Sequence, residues 1–158
     1  CLTGRLRIGE AMSPPLMGKL RQRMHAQAVR ESLDIIIDAP PGVSCPAMTA
    51  VQDADVVLLV TEPTPFGLHD LRLAWQAFRP LGKPMGIVIN RAGLGDDRVQ
   101  AFCREKGLPL VAEIPFRRDI AEHYAKGGIL AELDPGLRAI FEDLAERLER
   151  MDAEVSHA

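Results

Sequence analysis

The stretch from Asp34 to Leu71, DIIIDAPPGVSCPAMTAVQDADVVLLVTEPTPFGLHDL, decides the expected fold of this chain. It places two short apolar runs, DIIID and VVLLV, on either side of a short helical pattern. Continuous runs rich in Ile and Val are typical of parallel strands that are covered on both faces. The stretch therefore predicts a buried strand that ends at Asp38, then a helix, then a second strand that ends near Glu62.

The same alternation of strands and helices extends to both sides of this stretch. Further strands are predicted at RLRIGE (5–10), KPMGIVINRA (83–92) and LPLVAEIPF (108–116). The predicted helices are one capped by Ser13, then CPAMTAVQDA (45–54), GLHDLRLAWQAFRPLG (67–82), DDRVQAFCREKG (96–107), RDIAEHYAKGG (118–128) and DPGLRAIFEDLAERLERM (134–151). This order predicts an α/β fold, a mostly parallel open sheet with helices on both faces in three Rossmann-like layers.

The bulk composition excludes several classes of protein. The chain has 158 residues, 47% of them hydrophobic, and a formal net charge of -3, so no basic field points to nucleic acid. No apolar run approaches the roughly 20 residues that span a bilayer. The three cysteines, Cys1, Cys45 and Cys103, are far apart and odd in number, which favours a reducing compartment and a cytoplasmic protein.

The length fits one domain, which we expect to cover residues 1–150, followed by a frayed tail at 151–158. The chain begins with Cys1 instead of Met, and we interpret it as a piece of a longer protein.

Polar or turn-forming residues follow each predicted strand, where ligands of open α/β sheets bind. These residues are Asp38, Thr61, Glu62, Asn90, Arg91, Ile114, Pro115 and Phe116. An aspartate that ends an apolar strand is the usual Mg²⁺ ligand of nucleotide-binding sheets. Gly42, after two prolines, lets a backbone N–H approach a terminal phosphate. The alternative is an ordinary aspartate solvated in a turn.

The phrases IDAPPGVSCP, VTEPTPFGLHDL and VINRAG resemble the MinD/ParA/Mrp group of deviant P-loop ATPases. Within this group the chain is most similar to the MinD-superfamily ATPases with an inserted ferredoxin domain, often labelled cobyrinic acid a,c-diamide synthase-like. GRLRIGEAMSPP resembles the segment that follows the insert in those proteins. The resemblance covers nearly the whole chain, to about Leu148.

The resemblance implies a role for each predicted site residue. Asp38 would be the Walker B acid that binds Mg²⁺, and Gly42 would belong to the switch II turn. Asn90 would read the adenine edge of ATP with Arg91 beside it, and Pro115 with Phe116 would form the other wall of the base pocket. A homodimer is expected.

The chain also departs from this group. It contains no glycine-rich loop of the form KGGxGKT, no Gly-Lys-Ser/Thr and no C-x₂-C-x₂-C run. We therefore expect it to be a C-terminal portion that is not a competent ATPase alone, because this chemistry depends on positioning and neutralising the phosphates. The group's P-loop strand, which would lie between IIID and VVLLV, is missing. Unpaired backbone groups are costly, so those two runs should pair directly or accept another strand between them.

Two further features have alternative interpretations. Cys45 lies seven residues after Asp38, and in the related nitrogenase iron protein a cysteine at a similar offset holds a cluster shared between two subunits. The alternative is a small buried residue that opens a helix. Likewise, the run Arg117 to Asp119 is either solvated charge at a helix start or a contact to phosphate or ribose.

The resemblance implies an ATPase portion that, in the intact protein, binds ATP and Mg²⁺ and couples hydrolysis to redox, iron–sulfur or partner-loading work. A redox or iron–sulfur protein is the expected partner. One alternative is an ATP-dependent ligase of the cobyrinic acid a,c-diamide synthase type, although no glutaminase triad is visible. Another is a non-enzymatic partition or positioning protein, which the low basic content disfavours.

Overall fold

A computed structural model describes residues 22–24, 26–28, 30 and 33–156. The chain divides into two compact units, with the boundary between Asp53 and Ala54. The predicted strand at 5–10 and the helix cap at Ser13 lie outside the described residues.

The second unit is built on a three-stranded sheet. Its strands are β1 (Val57–Thr61), β2 (Met85–Ala92) and β3 (Leu110–Pro115), in the order β1-β2-β3, and both neighbouring pairs are parallel. Val57 pairs with Met85 and Thr61 with Ile89, while β3 pairs with β2 from Ile87↔Leu110 to Ala92↔Pro115. Together with the helices around it, this sheet confirms the predicted α/β class with an open parallel sheet.

The central strand β2 carries the core of this unit. Ile87 and Ile89 are fully buried, and Val88 is nearly so, which explains why the strand is a continuous apolar run instead of an alternating one. The flanking strands add the buried residues Val57, Leu59, Thr61 and Val111. Helices supply further buried side chains, which are Leu68, Leu71, Phe78, Val99, Phe102, Cys103 and Leu137.

Helix α2 (Pro65–Phe78) connects β1 to β2, and α3 (Arg98–Lys106) connects β2 to β3. Thr64 caps α2 by accepting a hydrogen bond from the Gly67 N–H at 3.0 Å, and Pro65 occupies the first helical position. The two helices are in contact, because the rings of Trp75 and Phe102 meet edge to face with centroids 5.7 Å apart. Trp75 is thus a packing residue.

Two helices follow β3. Helix α4 (Arg118–Ala125) is short, and α5 (Pro135–Ser156) packs against β3. Asp134 begins α5 as predicted, since its Oδ1 accepts a hydrogen bond from the Leu137 N–H at 2.9 Å. The helix continues through Ser156, so residues 151–156 are helical and the frayed tail predicted from Met151 onward is wrong for them. Among the described residues, no helix combines the length and apolarity that crossing a bilayer requires.

The first unit contains α1 (Cys45–Asp53), as predicted, and helical residues at 22–24, 26–28 and 30. The predicted strand over 34–38 is wrong, because residues 33–40 form no regular secondary structure and Ile36 is 96% exposed. Direct pairing of this run with β1 is also wrong, whereas filling of the space by another strand stays a prediction. Within the described residues, β1 is hydrogen-bonded to β2 alone. A strand forms only where another strand satisfies its backbone groups, and the DIIID run has no such partner among the residues that the structure describes.

Replacing Ile87 with alanine tests whether β2 holds the core. Ile87 is 0% exposed, so Ile87→Ala should lower the free energy of unfolding by about 2–5 kcal/mol, as measured by urea denaturation. Leu73→Ala is the control, because Leu73 is a large apolar residue on α2 that is 45% exposed. Similar small losses in both variants would show that β2 is not the centre of the core.

Candidate functional site

Three strand ends meet at the carboxyl edge of the sheet. Because Thr61 pairs with Ile89, Glu62 follows β1 beside Asn90, the next residue of β2. Ala92 pairs with Pro115, and the Phe116 N–H donates a hydrogen bond to the Ala92 carbonyl at 2.9 Å. The residues predicted to contact a base, Asn90, Arg91, Pro115 and Phe116, therefore lie at one edge of the sheet. Their binding role stays a prediction.

Asn90 and Arg91 adopt an unusual local geometry. The Asn90 Oδ1 accepts a hydrogen bond from the Arg91 N–H at 2.9 Å. Arg91 has a φ of 55° and is the one non-glycine residue with a positive φ in the described part of the chain. A side chain in this left-handed region costs of order 1 kcal/mol or more, and such strain is common at ligand sites. The geometry fixes the Asn90 carboxamide, which keeps its NH₂ donors and one lone pair available.

Arg91 forms an ion pair with Glu62 across the ends of β1 and β2. The Arg91 Nε lies 3.4 Å from one carboxylate oxygen of Glu62, and Nη1 lies 3.5 Å from the other. Both side chains are partly exposed, so the pair contributes at most about 1 kcal/mol to stability. The ion pair matters mainly because it orients the guanidinium group of Arg91. Sequence reasoning missed this contact, and the signal that predicts it is the register of the two strands.

The loop after β1 is held by a buried hydroxyl group. Thr61 is buried, and its Oγ1 donates a hydrogen bond to the Gly67 carbonyl at 2.8 Å. A Cβ on Gly67 would overlap the carbonyl oxygen of Glu62, so α2 begins directly against the backbone of that residue. This contact fixes the backbone from which the Glu62 carboxylate extends.

The loop after β2 packs closely on the loop after β1. A Cβ on Gly95 would overlap the carbonyl oxygen of Pro63, so the two backbones touch at a point that only glycine allows. The two loops therefore form one surface at the carboxyl edge of the sheet.

Phe116 and Arg117 leave the end of β3 in different environments. The Phe116 side chain is 55% exposed at this edge. Arg117 is instead bound within the chain, since its guanidinium forms ion pairs with Asp119 and, at 2.7 Å, with Asp134. The predicted alternatives for the run 117–119 were solvated charge and a phosphate contact. In the structure, the two ion pairs of Arg117 link the start of α4 to the cap of α5.

These contacts change the acidity of both carboxyl groups. The hydrogen bond from Arg117 holds the pKa of Asp119 below its ordinary value. The backbone N–H of Leu137, followed by the Arg117 guanidinium, lowers the pKa of Asp134. Both groups therefore stabilise the fold in their ionised form.

The remaining predicted site residues belong to the first unit. Asp38 is exposed in the irregular segment 33–40, and Gly42 is exposed with a φ of 78°. Cys45 is exposed at the first residue of α1. Cys103, by contrast, is buried, and desolvation raises the pKa of its thiol, so it is a core residue and not a reactive one.

The donor groups of the chain fit the expected ligands to different degrees. No group of three or more His, Cys, Asp or Glu side chains is placed to hold a metal in the part of the chain that the structure describes. An exposed carboxylate such as Asp38 suits Mg²⁺, which keeps several waters and takes few protein ligands. A single exposed thiol such as Cys45 supplies one of the four ligands that an iron–sulfur cluster needs.

A cleft of about 360 Å³ lies at the opposite end of β3 from this site. It is lined by Gln100, Cys103, Arg104, Gly107, Leu108, Pro109 and Leu110. Its lining is largely apolar and includes the inert thiol of Cys103, so it lacks the convergent polar groups of a binding site. We therefore place the candidate site at the carboxyl edge.

The chain is similar to several curated proteins. It is 34% identical over 110 residues to an uncharacterized protein of Methanocaldococcus jannaschii, a match that covers 70% of the chain and 37% of that protein. It is 34% identical over 85 residues to an uncharacterized ATP-binding protein of the same organism, with 50% and 32% covered. It is 27% identical over 108 residues to the iron-sulfur cluster carrier protein of Aquifex aeolicus, with 59% and 30% covered. No protein-family model matches the chain.

The chain thus spans about a third of the length of these three relatives. The similarity to an ATP-binding protein and to an iron-sulfur cluster carrier protein supports the predicted resemblance in part. The finer assignments to MinD, ParA and cobyrinic acid a,c-diamide synthase stay predictions.

Arg117→Ala tests the link between α4 and α5 through its pH dependence. The folded pKa values of Asp119 and Asp134 are lowered, so their stabilisation is complete above about pH 4 and is lost as the pH falls through those lowered values. The variant should melt below the wild type at neutral pH, and this difference should shrink as the pH falls to about 2.5.

Arg118→Ala is the matched control, since Arg118 pairs with Glu122 on its own helix and is highly exposed. It should cause a small loss of melting temperature. A difference between wild type and Arg117→Ala that stays constant on acidification would contradict the assigned role of the two aspartates.

Proposed function

We propose that the chain is the C-terminal part of a MinD/Mrp-like ATPase that binds ATP and Mg²⁺. In the intact protein, hydrolysis would drive redox, iron–sulfur or partner-loading work. The observation that carries this proposal is the meeting of Asn90, Arg91, Pro115 and Phe116 at the carboxyl edge of the parallel sheet. This is the edge at which open α/β sheets bind nucleotides.

The chemistry of this edge matches an adenine base. A carboxamide presents a donor and an acceptor side by side, as the N6 and N7 edge of adenine requires, and Asn90 keeps both available. The exposed ring of Phe116 offers an apolar face on which a base can stack. Pro115, which ends β3, holds this ring on a stiff segment of backbone.

Asp38 and Gly42 would act on the phosphate side of the nucleotide. The Asp38 carboxylate is a hard oxygen ligand for Mg²⁺, and the Gly42 N–H is free of a side chain that would block a phosphate. The chain has no phosphate-binding lysine in a glycine-rich loop. Hydrolysis therefore requires residues outside this chain, in the longer protein of which we propose it to be a part.

Cys45 supplies the proposed link to iron–sulfur chemistry. It is exposed, unlike Cys103, and one thiolate from each of two chains would contribute two ligands to a shared cluster. This arrangement requires a homodimer, and a redox or iron–sulfur protein would then be the partner. The similarity to an iron-sulfur cluster carrier protein supports this proposal.

Nucleotide titration of the chain tests the base site. The chain would supply the base pocket and one metal ligand alone. ATP should therefore bind with millimolar affinity at best, a binding free energy of about -4 kcal/mol, as followed by NMR shift perturbation. Asn90→Ala should raise the dissociation constant by about three- to tenfold, because the variant loses the hydrogen bonds of the carboxamide to the base. Gln76→Ala is the control, because it removes an exposed carboxamide on α2 away from the strand ends.

Micromolar binding by the wild-type chain would show that unassigned residues hold the phosphates. Equal affinities of the Asn90→Ala and Gln76→Ala variants would refute the assignment of Asn90 to the base.

Substitution of Asp38 in the longer protein tests the metal-side acid. Asp38→Ala should reduce ATP turnover by about a hundredfold or more, because the Mg²⁺ that neutralises the phosphates loses its carboxylate. The circular dichroism spectrum should not change, since Asp38 is exposed. Asp34→Ala is the control at the other end of the same segment and should keep the wild-type rate of ATP turnover. If Asp38→Ala also turned over ATP at nearly the wild-type rate, Asp38 would not be the metal-side acid.

A further inference from the structure

Three cations lie over the aromatic contact between helices α2 and α3. The Cζ atom of Arg72 lies 5.4 Å from the ring centroid of Phe102, and that of Arg79 lies 5.2 Å from the ring of Trp75. The Nζ atom of Lys106 lies 5.5 Å from the same Trp75 ring. These five residues form one surface, the basic seam, in which two rings that touch each other hold three positive charges.

The positive charge of the basic seam is only partly neutralised. Lys106 forms an ion pair with Glu105 at 2.7 Å. The pKa of Glu105 is lowered by its hydrogen bond from Lys106 and, more weakly, by the charge of Arg72. Within the described part of the chain, Arg72 and Arg79 form no ion pair with a carboxylate. The basic seam is therefore a positive surface on a chain whose formal net charge is -3.

The cations are held in place while their hydrogen-bond donors stay available. A guanidinium group over an aromatic ring keeps its N–H donors, because the ring attracts the charge and does not accept from the edges of the group. Phe102 is buried and Trp75 is half-buried, so the rings under the cations are fixed by the helix contact. A side chain that is already ordered loses less conformational entropy when a ligand binds to it, which favours binding of an anion here.

The chemistry of the basic seam favours an acidic protein segment over a nucleic acid. Glu and Asp carboxylates accept bidentate hydrogen bonds from guanidinium groups. A single-stranded nucleic acid gains affinity by stacking its bases on aromatic faces, whereas the Trp75 ring is already contacted by two cations and by Phe102. A long polyanion would also extend beyond the basic seam onto a chain that is negative as a whole.

We propose that the basic seam is a docking surface for a short acidic segment of a partner protein. Arg72 and Arg79 bind carboxylates of this segment, and Lys106 adds positive charge beside them. The five residues of the basic seam lie outside the candidate nucleotide site, so this proposal does not rest on the proposed function.

A short peptide of alternating glutamate and glycine, labelled with fluorescein, is the probe that tests the docking surface. Fluorescence anisotropy gives its dissociation constant, and Trp75, the single tryptophan of the chain, reports whether the peptide binds at the basic seam. The wild-type chain should bind the peptide at low salt with a saturable change in Trp75 fluorescence. Binding should weaken at roughly 0.15 M salt, where the Debye length is about 8 Å.

Arg72→Gln/Arg79→Gln should raise the dissociation constant of the peptide about tenfold or more, because two charge-assisted contacts are lost. Arg118→Gln/Arg150→Gln is the matched control, since it removes the same charge at two exposed arginines of α4 and α5. This control should change the dissociation constant by less than about twofold, because exposed charges beyond a Debye length are screened.

Glu105→Gln should act in the opposite direction. It frees Lys106 from its carboxylate, so the peptide should bind about two- to fivefold more tightly. Glu142→Gln changes the net charge by the same amount at an exposed acid of α5 and should leave the affinity unchanged.

Circular dichroism shows first whether each variant folds. If Arg72→Gln/Arg79→Gln does not fold, Arg72→Lys/Arg79→Lys keeps both charges over the rings. This variant should still bind about threefold more weakly than the wild type, because lysine lacks the bidentate fork.

Each other outcome overturns the proposal. Equal weakening in the two double arginine variants would show that net charge alone attracts the peptide. A lower melting temperature of Arg72→Gln/Arg79→Gln with an unchanged dissociation constant would show that the cations merely stabilise the helix contact. No binding by the wild-type chain, or binding without a change in Trp75 fluorescence, would show that the basic seam is not the docking surface. Tighter binding of a single-stranded oligonucleotide of the same charge, or of phosphatidylserine vesicles, would assign the basic seam to another class of partner.

Discussion

Backbone pairing of β2 on both of its sides is the constraint on which the second unit depends. Ile87 and Ile89 are fully buried, so the N–H and C=O groups around them cannot reach water and must be paired with β1 and β3. The same parallel pairing places the ends of all three strands at one edge. The stability of the core and the composition of the candidate site therefore have a common cause.

The segment 33–40 shows that apolar composition alone does not make a strand. DIIID and VVLLV look equivalent in the sequence, yet VVLLV pairs with β2 while Ile36 in the other run is 96% exposed. A strand forms where a neighbour satisfies its backbone, and a sequence pattern contains no information on whether that neighbour is present. Among the strands predicted within 33–156, the prediction failed at this one because it depends on a partner, whereas β1, β2 and β3 supply one another's partners.

The candidate site was predictable to the extent that it follows from the ends of strands. The positions of Asn90, Arg91, Pro115 and Phe116 at this edge were predicted because each comes where an apolar run stops. The ion pairs of Arg91 with Glu62 and of Arg117 with Asp134 were not predicted. They join residues that are distant in the chain, and only the strand register and the course of the loops bring them together.

The left-handed backbone at Arg91 sets backbone stability against the ion pair with Glu62 at a single position. Glycine at this position would relieve the conformational cost and would be chosen by any procedure that optimises folding alone. It would also remove the one side chain whose direction Glu62 sets. A screen for heat-resistant variants of this protein would consequently be expected to select glycine at position 91, and the selected variants would fold well although the ends of β1 and β2 had lost the ion pair that links them.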